Sequence, residues 1–175
     1  MKRVVGLDIA EEALVAARAE VGSAHNAELI CGDFFTDTRL AASSFSFIFD
    51  YTFYCAILPS ARAAWGRRTA ELLAPNGRLL TLAFPMASDE VSPTSSQLLL
   101  CSYPCIPRLL PHAPPHHTLA QVASDPATPG PPHAVSLAEY RKALEPHGLV
   151  LESGPYASPH SVRQNEQVIW WVKRS

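Results

Sequence analysis

The sequence predicts an α/β fold built on a doubly wound sheet, and three observations carry that expectation. Short apolar runs alternate with helical patterns over the first half of the chain. Two of those runs, Val4-Val5-Gly6-Leu7-Asp8 and Phe45 to Phe49 followed by Asp50, end on an acid. Strand–helix–strand order joins parallel strands through right-handed crossovers and leaves helices layered on the sheet.

The elements follow in order. Lys2 to Asp8 is a Val-rich strand, and from Ile9 to Glu20 the apolar residues Ala13, Leu14, Ala17 and Val21 recur at helical spacing. Glu11 and Glu12 stand in the first turn, where the positive end of the helix dipole favours carboxylates, and Gly22 stops the helix. Ala27 to Cys31 is a second strand, closing on Gly32-Asp33-Phe34-Phe35. Phe45 to Phe49 is a third, apolar on both faces as a strand buried between helices should be. Ala61 to Leu73 reads as a helix with Trp65, Thr69, Leu72 and Leu73 on one stripe and Pro75-Asn76-Gly77 as its terminator. Arg78 to Phe84 is the fourth strand.

Prolines then crowd residues 92–129, histidines gather at His112, His116 and His117, and no period persists. Such a segment is expected to be a loop or disordered insertion, too irregular to hold its histidines as metal ligands. The pattern resumes at Ser136, a helix cap with Glu139 completing a capping box, and runs to Pro146-His147-Gly148. Leu149 to Glu152 and Gln167 to Lys173 close the chain as an antiparallel hairpin at the sheet edge, with Trp170 and Trp171 on opposite faces. The domain is thus expected over residues 1–91 and 130–175, interrupted by 92–129.

Composition narrows the function classes. A chain of 175 residues with 47% hydrophobic and 17% charged residues supports one core of ordinary size. A net charge of −2 without a basic stripe argues against nucleic acid. No apolar stretch reaches the roughly 18 residues that span a bilayer, and Met1 onward has no secretory signal, so the expected location is cytosolic. The four cysteines, Cys31, Cys55, Cys101 and Cys105, form neither CxxC pairs nor a disulfide framework, so no metal site is expected.

Chemistry concentrates at the strand ends, where ligands sit in open α/β sheets. Asp8 can accept two hydrogen bonds from a cis-diol, or cap the following helix; both readings stand. Asp33 and Phe34 can meet an exocyclic amine and a purine face, or form a tight turn with a core ring. Two acids at successive strand ends favour a nucleotide cofactor. The third cluster is Asp50-Tyr51-Thr52-Phe53-Tyr54-Cys55-Ala56-Ile57. Its aromatics suit a pocket wall or the core, and Cys55 is read as a packed thiol with no neighbour to activate it.

These residues carry a resemblance. Val5-Gly6-Leu7-Asp8-Ile9, Gly32-Asp33-Phe34-Phe35, the Asp50 to Ile57 block, Glu71-Leu72-Leu73-Ala74-Pro75-Asn76-Gly77 and Gly130-Pro131-Pro132-His133-Ala134-Val135-Ser136 run in the order seen in thiopurine S-methyltransferase-like proteins. The chain is most similar to plant and algal halide or thiol (thiocyanate) methyltransferases of that group. The resemblance implies a class I, Rossmann-like methyltransferase fold and S-adenosylmethionine as cofactor. It places Asp8 on the ribose, Asp33 and Phe34 at the adenine, and Asp50 to Tyr54 near the methionine and acceptor side, with Ile9 and Asp50 among the cofactor-binding residues. Phe53, Tyr54 and Trp65 would then line the acceptor pocket, and Tyr51 would touch a small anionic or thiol acceptor. Methyl transfer of this kind needs alignment and desolvation more than proton transfer.

Compared with that family, the chain begins after the first strand and its glycine-rich turn. Neighbouring strands are therefore expected to pair directly or to leave unpaired backbone groups, at roughly 1 to 3 kcal/mol each when buried, and cofactor binding is expected to be weak or absent. A monomer is expected for a working enzyme. A second reading, a non-catalytic interaction protein, would form oligomers through an exposed sheet edge. A nicotinamide dehydrogenase shares the ribose acid but gives no account of the Asp50 to Ile57 block.

Overall fold

The structure, a computed structural model, describes residues 3–22, 26–87, 130–158 and 165–174. In chain order the elements are β1 (Val4–Asp8), α1 (Glu11–Val21), β2 (Ala27–Cys31), β3 (Phe45–Tyr51), α2 (Phe53–Ala56), α3 (Arg62–Leu72), β4 (Leu73–Ala83), α4 (Leu137–Leu144), β5 (Leu149–Ala157) and β6 (Gln167–Lys173). The Pro-rich stretch 92–129, with His112, His116 and His117, lies outside the described residues. No described helix is long and apolar enough to cross a membrane.

The strands form two sheets. β1 and β2 pair in parallel, with Asp8 opposite Cys31. The other four run in the order β3-β4-β6-β5, the first pairing parallel and the other two antiparallel. The expected closing hairpin is present, with β6 inside the sheet and β5 at its edge. Direct pairing of β1 with β3 is not seen: among the described residues they form no ladder with each other.

Local chemistry sets the element ends. The acids Glu11 and Glu12 open α1, Arg18 lies in its last turn, and Gly22 ends it at a φ of 57° that glycine tolerates. The Ser136–Glu139 capping box is formed in both directions, so two backbone N–H groups at the start of α4 are satisfied. Gly148, at φ 82°, turns the chain from the end of that helical segment into β5.

Two boundaries depart from expectation. β4 starts at Leu73, directly from α3, so Pro75-Asn76-Gly77 lies within the strand; Asn76 takes φ 61° there and the register with β3 shifts. A lysine makes this abrupt junction possible. Lys173 Nζ donates to the carbonyls of Ala70 and Leu73, each at 2.7 Å, and so satisfies the helix end that no loop covers. β5 extends to Ala157, well past Glu152, with bulges that keep its pairing to β6.

The main core lies between the four-stranded sheet and α2, α3 and α4. Leu79, Ala83, Ile169 and Trp171 from the sheet meet Tyr54, Trp65, Tyr140 and Leu144 from the helices. Tyr54 stacks on Tyr140 with centroids 4.2 Å apart and tilts against Trp65 at 4.6 Å. Trp171 donates its indole N–H to Thr81 Oγ1 at 3.3 Å, so the buried ring keeps a polar partner. A smaller cluster of Ile30, Leu40 and Leu72 takes in Val5 and Leu7 from β1 and Phe45 and Ile48 from β3.

The α3–α4 contact is unusually close at one position. A Cβ added to Gly66 would stand 1.9 Å from the Ala143 carbonyl oxygen, a rigid backbone atom. Gly66→Ala gains roughly 1 kcal/mol of helix propensity but forces the helices apart, which costs more. A net loss of about 2 kcal/mol is expected, seen as a melting temperature lower by roughly 4 to 8 °C. An unchanged or raised melting temperature would refute the contact.

Candidate functional site at the strand ends

The carboxyl ends of β1, β2 and β3 lie along one side of the molecule. Asp8 and Cys31 are paired, and Gly32 N–H donates to the Asp8 carbonyl at 2.9 Å, so the first two ends are locked together. The second and third are joined by rings. Phe34 lies 5.5 Å from Phe53 and 5.6 Å from Phe35, both edge-on, and Phe35 lies 6.2 Å from Phe53.

Each acid has a local structural job. Asp8 Oδ1 accepts from Ala10 N–H at 2.8 Å and so holds the turn into α1. The next residue, Ile9, is 73% exposed. Asp33 Oδ1 accepts from Phe35 N–H at 2.9 Å, and Oδ2 accepts from the Thr36 hydroxyl at 3.1 Å. The capping and turn readings of Asp8 and Asp33 are thus realised, and both carboxylates remain at the open side with acceptor capacity left over.

Asp50 differs. Its Oδ1 accepts from Phe53 N–H at 2.9 Å and Tyr54 N–H at 3.4 Å, which fastens α2 to the end of β3 across Thr52 at φ 60°. Its Oδ2 is buried and makes no hydrogen bond among the described residues; the Trp65 indole is near but outside bonding geometry. Burial raises the Asp50 carboxyl to about 6, opposed by the backbone N–H groups of Tyr54 and Phe53.

The remaining candidates divide by the alternation of a strand. Asp50 faces the helices, so Tyr51 faces the other way, 56% exposed and 6.0 Å from Phe49. Phe53 is partly exposed and belongs to the ring cluster that joins the strand ends. Tyr54 and Trp65, each 1% exposed, sit in the core and do not line the open side. The Tyr54 hydroxyl donates to the Glu139 carbonyl at 3.1 Å, and burial pushes its pKa well up.

Two residues that the sequence did not single out hold the site together. Arg68, on α3, donates to the carbonyls of Asp37 at 2.8 Å, Phe34 at 3.3 Å and Leu40 at 3.4 Å. Arg62, buried beneath the 134–139 segment, donates to Glu139 Oε1 at 2.7 Å and the Ala134 carbonyl at 3.0 Å, with its guanidinium 4.8 Å above the Tyr54 ring. That segment reaches α2 directly, because His133 N–H donates to the Cys55 carbonyl at 2.8 Å. An arginine in a helix gives no sign in sequence of which carbonyls it will meet; only the fold supplies them. A shallow hollow of about 220 Å³, lined by Arg18, Val21, Gly22, Ala27 and Leu29, lies at the opposite end of β2, away from these groups.

The Asp50 carboxyl gives a pH prediction. Its folded pKa is raised, so its native state is favoured when protonated, and that advantage is lost as pH rises from about 4 through about 6. Asn at this position keeps an acceptor for Phe53 and Tyr54 without a charge. The stability of Asp50→Asn relative to the parent should therefore grow between pH 4 and pH 8, by on the order of 3 kcal/mol. Urea titrations at both pH values measure it, and a difference that does not change with pH would contradict the burial of an ionised group.

The comparisons with known proteins agree with this architecture. The thiopurine S-methyltransferase (TPMT) family profile matches residues 1–99. Thiocyanate methyltransferase 1 of Arabidopsis thaliana is 33% identical over 178 aligned residues, covering 97% of this chain and 60% of its own. Probable thiol methyltransferase 2 of the same plant is 33% identical, covering 85% and 49%, and thiocyanate methyltransferase 1 of Brassica oleracea is 42% identical, covering 51% and 40%. The chain thus spans about half the length of these relatives. Among solved structures, the S-adenosylmethionine-dependent methyltransferase SibL superposes with a TM-score of 0.62 at 17% identity, covering 99% of this chain and 44% of its own. Human N-acetylserotonin methyltransferase, solved with its cofactor, gives 0.59 at 14% identity, covering 99% and 41%. These likenesses show the class I methyltransferase fold. On the profile match over more than half its length, with the strand-end acids in place, the chain belongs to the thiopurine S-methyltransferase family.

Proposed function

We propose that this chain acts in S-adenosylmethionine-dependent methylation of a small soft nucleophile: a halide, thiocyanate, hydrosulfide or thiol. One observation carries the reading. In a member of this family, the ends of β1, β2 and β3 are drawn to one side by paired backbone and by the rings of Phe34, Phe35 and Phe53.

The residues present fit the cofactor. A carboxylate offers about four lone-pair positions, and Asp8 Oδ1 is engaged by one N–H, so Asp8 can accept from a ribose diol. Asp33 retains capacity for an exocyclic amine, Phe34 offers a ring face to a purine, and exposed Ile9 adds apolar cover. The unpartnered Oδ2 of Asp50 suits an ammonium on the methionine side. When bound, S-adenosylmethionine supplies a methyl group already activated on a sulfonium. For a halide, thiocyanate or hydrosulfide anion the chain's own residues then have no proton to move, whereas a thiol gives its proton up to solvent as its thiolate forms. Those residues exclude water and align an acceptor that arrives with its lone pair available. Tyr51, exposed at the end of β3, is the hydroxyl we assign to the acceptor in this reading, while Tyr54 and Trp65 support α2 from the core. A monomer and a cytosolic location belong to the same reading.

Saturation-transfer NMR with S-adenosylhomocysteine tests the cofactor half. Signals from adenine and ribose protons are expected, with an affinity weaker than micromolar. Asp8→Ala should lower that affinity about tenfold or more, the worth of a charge-assisted hydrogen bond. Equal signals in both proteins would remove Asp8 from the site. Gas chromatography of reactions with iodide, thiocyanate and hydrosulfide tests transfer; no methylated product from any of the three, with adenosine binding intact, would overturn the transferase reading.

A further inference from the structure

The turn after β2 holds a second set of contacts beside those of Asp33 and Arg68. The N–H groups of Thr36 and Asp37 donate to the Asp33 carbonyl at 3.2 and 2.9 Å, so residues 33–37 form one coil of chain. The Asp37 side chain, 6% exposed, folds back over Gly32. There its carboxylate meets the Arg39 guanidinium. Arg39 Nε donates to Oδ1 at 3.0 Å and to Oδ2 at 3.1 Å, Nη2 also donates to Oδ2, and the Arg39 backbone N–H donates to Oδ1 at 2.9 Å. The same Nη2 donates to the carbonyl of Cys31, the last residue of β2, at 2.6 Å. Gly32 leaves the space for this: a Cβ there would overlap Asp37 Oδ2 and stand 2.8 Å from Arg39 Nη2.

An exposed ion pair adds little to stability, and Arg39 is 57% exposed. What this pair supplies is geometry. The planar fork of arginine sets the distance and angle between the Asp37 carboxylate and the Cys31 carbonyl, and those two groups flank Asp33 in the chain. The bonds of Asp33 to Phe35 N–H and the Thr36 hydroxyl aim its carboxylate within the turn only. Arg68 ties the turn to α3, a different element. The fork of Arg39 ties it to β2 and, through the Asp8–Cys31 register, to the ribose acid. We propose that Asp37 and Arg39 are positioning residues for the adenine end of the cofactor, and that their clasp across Gly32 aims the Asp33 carboxylate and so sets the preference for a purine that carries an exocyclic amine. This rests on the reading of Asp33 as the acid that accepts from that amine. Neither side chain touches the cofactor in this role; both act through Asp33, because a hydrogen bond is lost when its acceptor turns away while the ring packing is not.

The test compares S-adenosylhomocysteine with S-inosylhomocysteine, in which a ring carbonyl replaces the exocyclic amine, by NMR titration of the full chain. The parent should prefer the adenosyl compound by about tenfold, as expected for a hydrogen bond to a charged acceptor. Arg39→Met should weaken the adenosyl compound by roughly fivefold or more and leave the inosyl compound within about twofold, since only the first needs Asp33 aimed. Asp37→Asn should do the same, and so should Gly32→Ala, which keeps both side chains but sets a Cβ where the carboxylate rests. Arg39→Lys keeps the charge without the fork and should also lose the preference. An unchanged ratio in Arg39→Met would overturn the proposal. So would parallel weakening of both compounds, the mark of a merely structural role, or full preference in Arg39→Lys, which would make charge the cause. Binding of neither compound by the parent would overturn the cofactor reading itself and the clasp with it, whereas a parent preference that survives Arg39→Met strikes the clasp alone.

Discussion

The guanidinium of Arg68 is the contact on which the arrangement of the site depends. Among the described residues β1 and β2 share no backbone ladder with the other four strands, so something other than sheet hydrogen bonds must fix one sheet against the other. Arg68 does this by holding the carbonyls of Phe34, Asp37 and Leu40 against α3. Hydrogen bonds from a charged donor contribute roughly 1.5 to 3 kcal/mol each. The edge-on contacts of Phe34 with Phe35 and Phe53, and the Ile30–Leu40–Leu72 cluster beneath, fill the rest of the joint. Released from Arg68, the Asp33–Phe34 turn has the ring contacts and that small cluster to keep it beside Asp50.

The other half of the molecule is built more redundantly. Tyr54, Trp65, Tyr140 and Trp171 form a continuous aromatic core between helices and sheet. Arg62 and Glu139 tie α3 to the start of α4, and the same glutamate closes the capping box. Burying that arginine is affordable only because the carboxylate, a carbonyl and an aromatic face receive it. The result is a firm platform under α2, with Asp50 buried at its start and the 133–135 segment bonded alongside.

Much of this was legible in the sequence. The strands β1, β2 and β3, the Ser136–Glu139 cap and the gathering of Asp8, Asp33 and Asp50 at strand ends all follow from local pattern and from the rule that ligands sit at that edge. Strand alternation sets Asp50 and Tyr51 on opposite faces, but it does not say which face the helices cover. On β3 the helices cover Asp50 and leave Tyr51 and Phe49 exposed, while Tyr54 and Trp65, read as pocket lining, sit on helices and pack with Tyr140 in the core. The start of β4 at Leu73 was hidden because its stabilising group, Lys173, is a hundred residues away in sequence. Arg62 and Arg68 were hidden for the same reason, since a helix presents an arginine to whatever the tertiary fold brings near.

The account reduces to one spatial claim: the ends of β2 and β3 are held together, and Arg68 holds them. Two-dimensional NMR measures it directly through cross-peaks between ring protons of Phe34 and Phe53, whose centroids are 5.5 Å apart. The account predicts these cross-peaks in the parent protein and their loss in Arg68→Met, while those between Tyr54 and Tyr140 persist in both. Their absence from the parent, or their survival in Arg68→Met, would contradict it.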